Sequence, residues 1–425
     1  MSGYLVIAIF LILVLLKCSV PLSFLIPSVI YFIVENKPIM GLMQYLGSQT
    51  QSFTIVAIPM FIYVGCLMNS SGVSDYLLKF CNILVGKFRG ALAYCNILTS
   101  LLFSGVSGSA LADIGGVGKV VLYAMKQDGY SDEDAIGITG ASSTIGPIFP
   151  PSIPLMIYAM AAEVSSTKLL ISGVLPAVLI VLALCVWVFI LSRKHNFKTH
   201  HVEYSKKDKM RALLKSLPAV LLPVVLMVGL LSGKVGATAL AAFSCVMIII
   251  IGRFLYKELT FKRFVSASRE ALRTTGNIML IMCSACVFAR VLTLSHVAKD
   301  ISALLLGISS NPTILLLMSV VFLTILGMFV DASAAILVST PLLLPALTSA
   351  GVNPIHFGLV MVLTLMIGLL TPPVGMSLYM LSDVTHIPLN KVIKSVIPYY
   401  IPLVLVLLLI IFIPGLATFL PNLLT

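Results

Sequence analysis

Apolar residues fall in long runs separated by short polar or charged stretches, and the runs have the length of a membrane crossing, about 20 residues. Runs at 5–34, 52–70, 168–192, 217–232, 235–252, 274–292 and 398–420 predict spanning helices. Four others, 91–126, 134–162, 313–349 and 355–382, are as apolar but each is broken in the middle by Gly, Pro, Ser or Asp. A break at membrane depth leaves backbone groups that no water can satisfy, so it persists only where protein surrounds it or a cavity meets it. Stretches 75–90, 256–273 and 388–397 mix charges with Leu, Phe, Val and Ile at helical spacing and predict amphipathic helices along the interface.

Composition turns this pattern into a class. Of 425 residues 59% are hydrophobic and 27 + 15 = 42, or 10%, are charged, against roughly a quarter in soluble domains. That excludes a soluble enzyme, a secreted disulfide scaffold and a disordered chain. The net charge of +12 is concentrated: from Arg193 to Ser216 eight Lys and Arg stand against Glu203 and Asp208. With no aromatic interleaving or nucleic-acid fold behind it, this is a membrane loop and no nucleic acid is expected as a partner. A second basic stretch runs from Arg253 to Arg273, and the positive-inside rule puts both in the cytoplasm. The two spans between them, joined at Ser232, Gly233 and Lys234, return the chain to its starting side. Counted outward from there, segment 91–126, with Lys87 at its flank, dips in from the cytoplasmic face and 313–349 from the opposite one. MSGYLVIAIF has no basic region before its apolar run, and Lys17 is the first charge, so it predicts a retained span and not a cleaved signal.

The broken segments repeat. Pro150-Pro151 and Pro372-Pro373 lie 222 residues apart, and Gly146 and Gly368 each precede the second proline of a pair by five. Upstream of each lies a small-residue hairpin tip, Ser107–Asp113 in one half and Asp331–Ala335 in the other. Such an internal repeat of opposite topology, with discontinuous helices at the midplane, is how secondary transporters build cation sites from free carbonyls and anion sites from half-helix N-termini. Proline lacks a donor and clashes with the preceding turn, so Ile145–Pro154 and Leu369–Ser377 leave regular helix.

Candidate chemistry follows from these breaks. Ser104, Ser107 and Ser109 offer hydroxyls at a glycine-rich turn. Asp113 and Asp331 are carboxylates inside apolar segments, where each needs a partner; each either caps a hairpin helix or contacts an ion. Arg290 either meets an anionic substrate or snorkels to the outer interface. Other chemistry fails on its residues. Gly118-Lys119 lacks the rest of a Walker motif, since Asp113 and Val120 occupy its diagnostic positions. Cys283 and Cys286 form a CxxC with no second pair, and the six His, including His200 and His201, fall in loops or near span ends. A transporter, not an enzyme, is expected.

At FSGVSGSALAD, GPIFPPSIP, the run Asp331–Pro345 and LLTPPVGMSLY the chain resembles the large membrane subunit of tripartite ATP-independent periplasmic (TRAP) transporters, along essentially its whole length. The resemblance implies an all-α integral membrane protein of elevator type, an inverted-repeat ion-transporter fold with two re-entrant hairpins and two broken helices. It divides the chain into scaffold and arm helices (1–90), transport half 1 (91–165), scaffold helices with the basic loop 193–216 (166–292), transport half 2 (293–397) and a C-terminal helix (398–425). It also implies uptake of an organic acid, such as sialic acid, a C4-dicarboxylate or a related sugar acid, coupled to sodium ions (Na+) at two or more sites. The acid would be delivered by a periplasmic substrate-binding protein, with a separate small four-helix membrane subunit completing the complex in the lipid of a bacterial inner membrane. Carried over by motif, the first sodium site takes Ser104, Ser107, Gly146, Phe149 and Pro151, and the second Ser333, Gly368, Thr371 and Val374. Substrate would lie between the hairpin tips, near Ser109 and Asp331, with Asp113 and Arg290 as further candidates from the residues themselves. Where many relatives resemble Thr-Glu-Ala-Ala, this chain has Thr238-Ala239-Leu240-Ala241. The rival readings are an ion-coupled carboxylate transporter that works alone and, from another class, an intramembrane enzyme or passive scaffold subunit.

Overall fold

The computed structural model describes residues 3–16, 18–48, 53–86, 88–195, 197, 206–233 and 235–424. Lys17, Lys87, Lys198, His200, His201, Glu203 and Lys234 lie outside them, as do the side chains of Lys206 and Asp208. Every regular element among the described residues is helical. In chain order come α1 (Gly3–Leu15), α2 (Val20–Val34), α3 (Ile39–Ser48), α4 (Phe53–Ser70) and α5 (Val73–Val85). Hairpin 1 follows: α6 (Ala91–Ser107), a turn at Gly108 and Ser109, then α7 (Ala110–Asp113), which runs through a π turn (Ile114–Gly118) into α8 (Lys119–Gln127). The first interrupted helix is α9 (Asp132–Ser143) with α10 (Ile153–Ala161). Next are α11 (Ser166–Ser172), α12 (Val174–Lys194), α13 (Lys206–Leu231), α14 (Ala237–Ile250), α15 (Phe261–Leu294) and α16 (Val297–Ile308). Hairpin 2 is α17 (Pro312–Phe329) with α18 (Ala332–Ser349), and the second interrupted helix is α19 (Pro354–Leu369) with α20 (Met376–Thr385). The chain closes with α21 (Leu389–Val396), α22 (Tyr400–Phe412) and α23 (Gly415–Leu424).

The repeat is structural as well as textual. Adding 222 to the limits of α6 gives 313–329, and α17 spans 312–329; the same shift carries α9 and α10 onto α19 and α20. Helix starts are written locally in both halves. Ser131 caps α9 by accepting from Asp134 N, with Asp132, Glu133 and Asp134 in the first turn, while Asn-Pro pairs open α17 and α19.

Contacts between the halves fix their relative direction. Hairpin 1 runs parallel to α9, with Asn96 beside Thr139 and Ser100 beside Ser142. At the far end of the same interrupted helix, the Tyr158 hydroxyl donates to Pro354 O at the start of α19 (2.7 Å). Conversely, Gly140 of α9 packs on Leu381 of α20, 3.0 Å from its would-be Cβ, and the Tyr123 hydroxyl of hairpin 1 donates to Val384 O (2.8 Å). Each interrupted helix therefore ends where the other begins, and the two hairpins enter from opposite faces.

Two groups of helices surround these hairpins. α4 packs on α14 and α15, α2 on α15, and α5 on α13; Phe10, Phe24 and Phe288 cluster where α1, α2 and α15 meet, with centroids 4.9–5.3 Å apart. α12 packs on α6, α9, α22 and α23. Four expectations change. The run 5–34 is two short helices packed on each other and not one span. Stretch 256–273 is not a separate surface helix, because from Phe261 it belongs to α15, whose 34 residues extend about 51 Å at 1.5 Å per residue. The basic loop is helical from Lys206, as the start of α13. The run 398–420 breaks at Pro414, between α22 and α23.

Small residues set the closest helix approaches, as packing in lipid requires. A Cβ on Gly137 of α9 would overlap the Tyr399 ring and lie 2.5 Å from Ser395 O, whereas one on Gly276 of α15 meets nothing within 4 Å. Overpacking costs about 1–3 kcal/mol, and Gly→Ala inside a helix returns up to about 1 kcal/mol of propensity. Gly137→Ala is therefore expected to lower, and Gly276→Ala to hold or raise, the unfolding temperature of the detergent-purified chain.

Candidate functional site

The wall of hairpin 1 is built by a ladder of hydroxyls along α6. Asn96 Nδ2 donates to Thr139 Oγ1 (2.7 Å). One turn on, Ser100 Oγ donates to Asp113 Oδ2 (2.7 Å) and lies 3.1 Å from Ser142 Oγ. A further turn on, Ser104 donates to Ser100 O and faces Gly146, where an added Cβ would sit 3.4 Å from both Ser104 Oγ and the Ser109 carbonyl. At the tip, Gly108 has φ +59°, and a side chain there would strike Pro151 O, so only glycine lets hairpin and break close on each other. Phe149 packs against Gly105 at 3.3 Å from its would-be Cβ. Ser104, Ser107, Gly146, Phe149 and Pro151 are thus brought together.

Their oxygens are spare. The carbonyls of Gly146, Phe149 and Pro151 accept no hydrogen bond from a described residue, and the hydroxyl of Ser107, a residue 4% exposed, has no partner. Among the described residues no three His, Cys, Asp or Glu gather as a metal-binding group. Neutral hydroxyl and carbonyl oxygens suit a hard cation of low charge, so the donor set fits an ion such as sodium.

The second break is built alike but less enclosed. A Cβ on Gly368 would lie 2.9 Å from Gly327 Cα and 3.1 Å from Thr324 O, so α17 and α19 approach backbone to backbone. Gly375 N donates to Met328 O (3.0 Å), tying hairpin 2 to the break. Gly368 O accepts from Thr371 N (2.8 Å), and Thr371 Oγ1 donates to Ile367 O (2.7 Å). Thr371 and Val374 are half-buried. Both Pro-Pro bonds, Pro150-Pro151 and Pro372-Pro373, are cis.

Both tips and both breaks meet at one cavity of about 280 Å³, near the lower end of small-molecule sites, roughly 300 Å³. Hairpin 1 contributes Ser107 to Ala112, hairpin 2 Asp331 to Ser333, and the breaks Pro147, Pro154, Met366 and Leu369. The first turns of α10 and α18 open onto it, with Ile153 and Ala332 in the wall. Pro154 has no N–H, Leu155 N is taken by Ser152 Oγ and Ser333 N by Asp331; the N–H groups of Ile153 and Ala332, with the positive dipole ends, suit a carboxylate. Asp331 caps α18, its Oδ2 accepting from Ser333 N (2.9 Å), which is the capping role in the cavity wall. Ser333 lines the cavity.

The other two substrate candidates sit elsewhere. Asp113 is fully buried behind the wall, held by Ser100, and Arg290 is exposed on α15 and does not line the cavity. The scaffold wall consists of residues that sequence reasoning missed: Gly65, Cys66 and Asn69 of α4, and Glu270, Thr274 and Ile278 of α15. Their spacing of three and four marks one helix face. The signal in α15 was an acid followed by Thr and Ile at four-residue steps, hidden by reading 256–273 as an interface helix.

Comparison with known proteins agrees with this geometry. The family described as "Tripartite ATP-independent periplasmic transporter, DctM component" matches residues 7–416. The chain belongs to this family. It is 37% identical over 380 residues to the sialic acid TRAP transporter large permease protein SiaM of Vibrio cholerae, covering 89% of this chain and 88% of that one. It is 35% identical to the sialic acid TRAP transporter permease protein SiaT of Haemophilus influenzae, covering 100% of this chain and 69% of that one. It is 33% identical to the C4-dicarboxylate TRAP transporter large permease protein DctM of Pseudomonas aeruginosa, covering 89% and 88%. The fold is shared with the crystal structure of the Alcanivorax borkumensis YdaH transporter, at a TM-score of 0.65 and 15% identity over 89% of each chain. As a TRAP large permease subunit the protein is a multi-pass inner-membrane transport component and not an enzyme.

In this TRAP subunit the Ser100–Asp113 contact anchors the two arms of hairpin 1 to each other. Ser100→Ala leaves a buried carboxylate without its donor, at a cost of about 1–3 kcal/mol. It is expected to lower the unfolding temperature, while Ser100→Thr, which keeps a hydroxyl, retains most of the stability; thermal unfolding in detergent checks both.

Proposed function

We propose that this subunit imports an organic acid of the kind named for its relatives, sialate or a C4-dicarboxylate, in symport with sodium. The observation that carries the reading is the convergence of two hairpin tips and two interrupted helices on one cavity, with spare neutral oxygens beside it. Sodium at the first break would be held by the Ser104 and Ser107 hydroxyls and the carbonyls of Gly146, Phe149 and Pro151. A second ion would lie at Gly368, Thr371 and Val374, with Ser333 of hairpin 2. A cation at these oxygens offsets the negative charge of a carboxylate at the helix starts and holds each hairpin against its break, so that ion and acid favour each other's binding.

The moving part in this reading is made of the two hairpins and the two interrupted helices, α6–α10 with α17–α20, sliding as an elevator against a fixed scaffold. Small residues mark two of the approaches between the groups: a Cβ on Gly105 would lie 2.9 Å from Pro223 Cβ, and one on Gly65 would lie 3.4 Å from Ser107 Cα. A periplasmic binding protein would deliver the acid and a small membrane subunit would complete the complex.

Uptake into proteoliposomes of the assembled complex tests this. A sodium gradient is expected to drive accumulation of the acid, and replacing sodium with choline to reduce it to background. Ser107→Ala and Gly146→Leu, which remove one oxygen and fill the approach to Ser104, are each expected to cut sodium-dependent uptake about tenfold or more, as loss of about 1.4 kcal/mol of coupling would. Accumulation independent of sodium, or untouched by both substitutions, contradicts the proposal.

A further inference from the structure

The cavity has two chemically unlike ends. On the hairpin side lie the first turns of α10 and α18, and no Lys or Arg lines any part of the wall. A carboxylate bound there meets the backbone N–H groups of Ile153 and Ala332 and the helix dipoles, with the Asp331 carboxylate tied to the start of α18 beside it. On the scaffold side stands Glu270, with Asn69 and Thr274 near it in the same wall. Glu270 is exposed on α15 and forms no ion pair with a described residue. Its neighbours Arg269 and Arg273 do not line the cavity. The hydroxyl of Ser107, a buried residue of the hairpin wall, lacks any partner, and the Asp331 carboxylate is already engaged by Ser333 N.

We propose that Glu270 selects the far end of the substrate, so that the cavity takes a polyhydroxylated monocarboxylate and rejects a plain dicarboxylate. The inference rests on reading the cavity as the transport site. With its one carboxylate at the helix starts, such an acid presents hydroxyls toward Glu270, Asn69 and Thr274. An ionised carboxylate is an acceptor only, so it pairs with hydroxyl donors and repels a second carboxylate. A C4-dicarboxylate would set its distal acid against Glu270 with no cationic side chain in the wall to offset either charge. Ser107 supplies a further hydroxyl that can donate to or accept from the same substrate.

The test is binding to the detergent-purified complex at saturating sodium, by calorimetry, with gluconate and N-acetylneuraminate against succinate and fumarate. At least one hydroxylated acid is expected to bind ten times or more tighter than either dicarboxylate. Glu270→Gln, which keeps shape and removes charge, is expected to shrink that preference at least fivefold, chiefly by letting succinate bind. Thr274→Val, which removes a hydroxyl and leaves the charge, is expected to weaken the hydroxylated acid without admitting succinate. Thermal unfolding of each variant separates lost binding from lost folding. Tighter binding of a dicarboxylate to the unaltered complex, or a preference unchanged in Glu270→Gln, overturns the role of Glu270 while leaving sodium-driven transport intact. Failure of all four acids to bind, together with absence of sodium-dependent uptake, overturns the transport-site reading itself.

Discussion

The constraint on which this structure depends is the cost of an unpaired backbone group in hydrocarbon. A helix interrupted at membrane depth exposes carbonyls at the end of one half and N–H groups at the start of the other, and lipid can satisfy neither. Here each interruption is covered by a re-entrant hairpin whose small residues let backbone approach backbone: Gly108 against Pro151, and Gly368 against Gly327. The hairpins do not silence every group. They bury the breaks in protein and leave a few oxygens unpaired, while the first turns of α10 and α18 face the cavity between the hairpin tips.

Inverted symmetry follows from the same constraint. Since each interrupted helix begins where the other ends, as the Tyr158–Pro354 contact shows, two hairpins entering from opposite faces can both place their tips at the centre. The halves are nonetheless unequal. The first break is almost wholly buried, while Thr371, Pro372 and Val374 of the second are only half-buried. The scaffold side is supplied by α4 and α15 alone, so the cavity is lined by repeat-related elements on one side and by a single helix pair on the other. That asymmetry puts Glu270, a carboxylate with no ion pair to a described residue, across the cavity from the helix starts.

Much of this was legible in the sequence because it is written in residues with few other uses. Paired prolines with a glycine five residues earlier, twice at an offset of 222, located both breaks, and the serine-glycine and Asp-Ala-Ser tips located both hairpins. Charge placement in the basic stretches gave opposite directions to the halves before any contact was known. The family resemblance then carried the site onto Ser104, Ser107, Gly146, Phe149 and Pro151, which the fold does gather. Less legible was whatever depends on which helix lies beside which. Glu270 reads as one charge among several in an amphipathic stretch until α15 is seen to run unbroken from Phe261. Asp113 reads as a site residue until its carboxylate is found behind the wall on Ser100.

The opposed entry of the two hairpins is the feature from which cavity, breaks and spare oxygens all follow. It is measured most directly by labelling single cysteines, in a cysteine-free background, with a membrane-impermeant maleimide applied to one side of sealed vesicles. Cysteines placed at Asp128, at the base of hairpin 1, and at Gly351, at the base of hairpin 2, are expected to label from opposite sides. Labelling of both from the same side would contradict the inverted arrangement and with it the shared cavity.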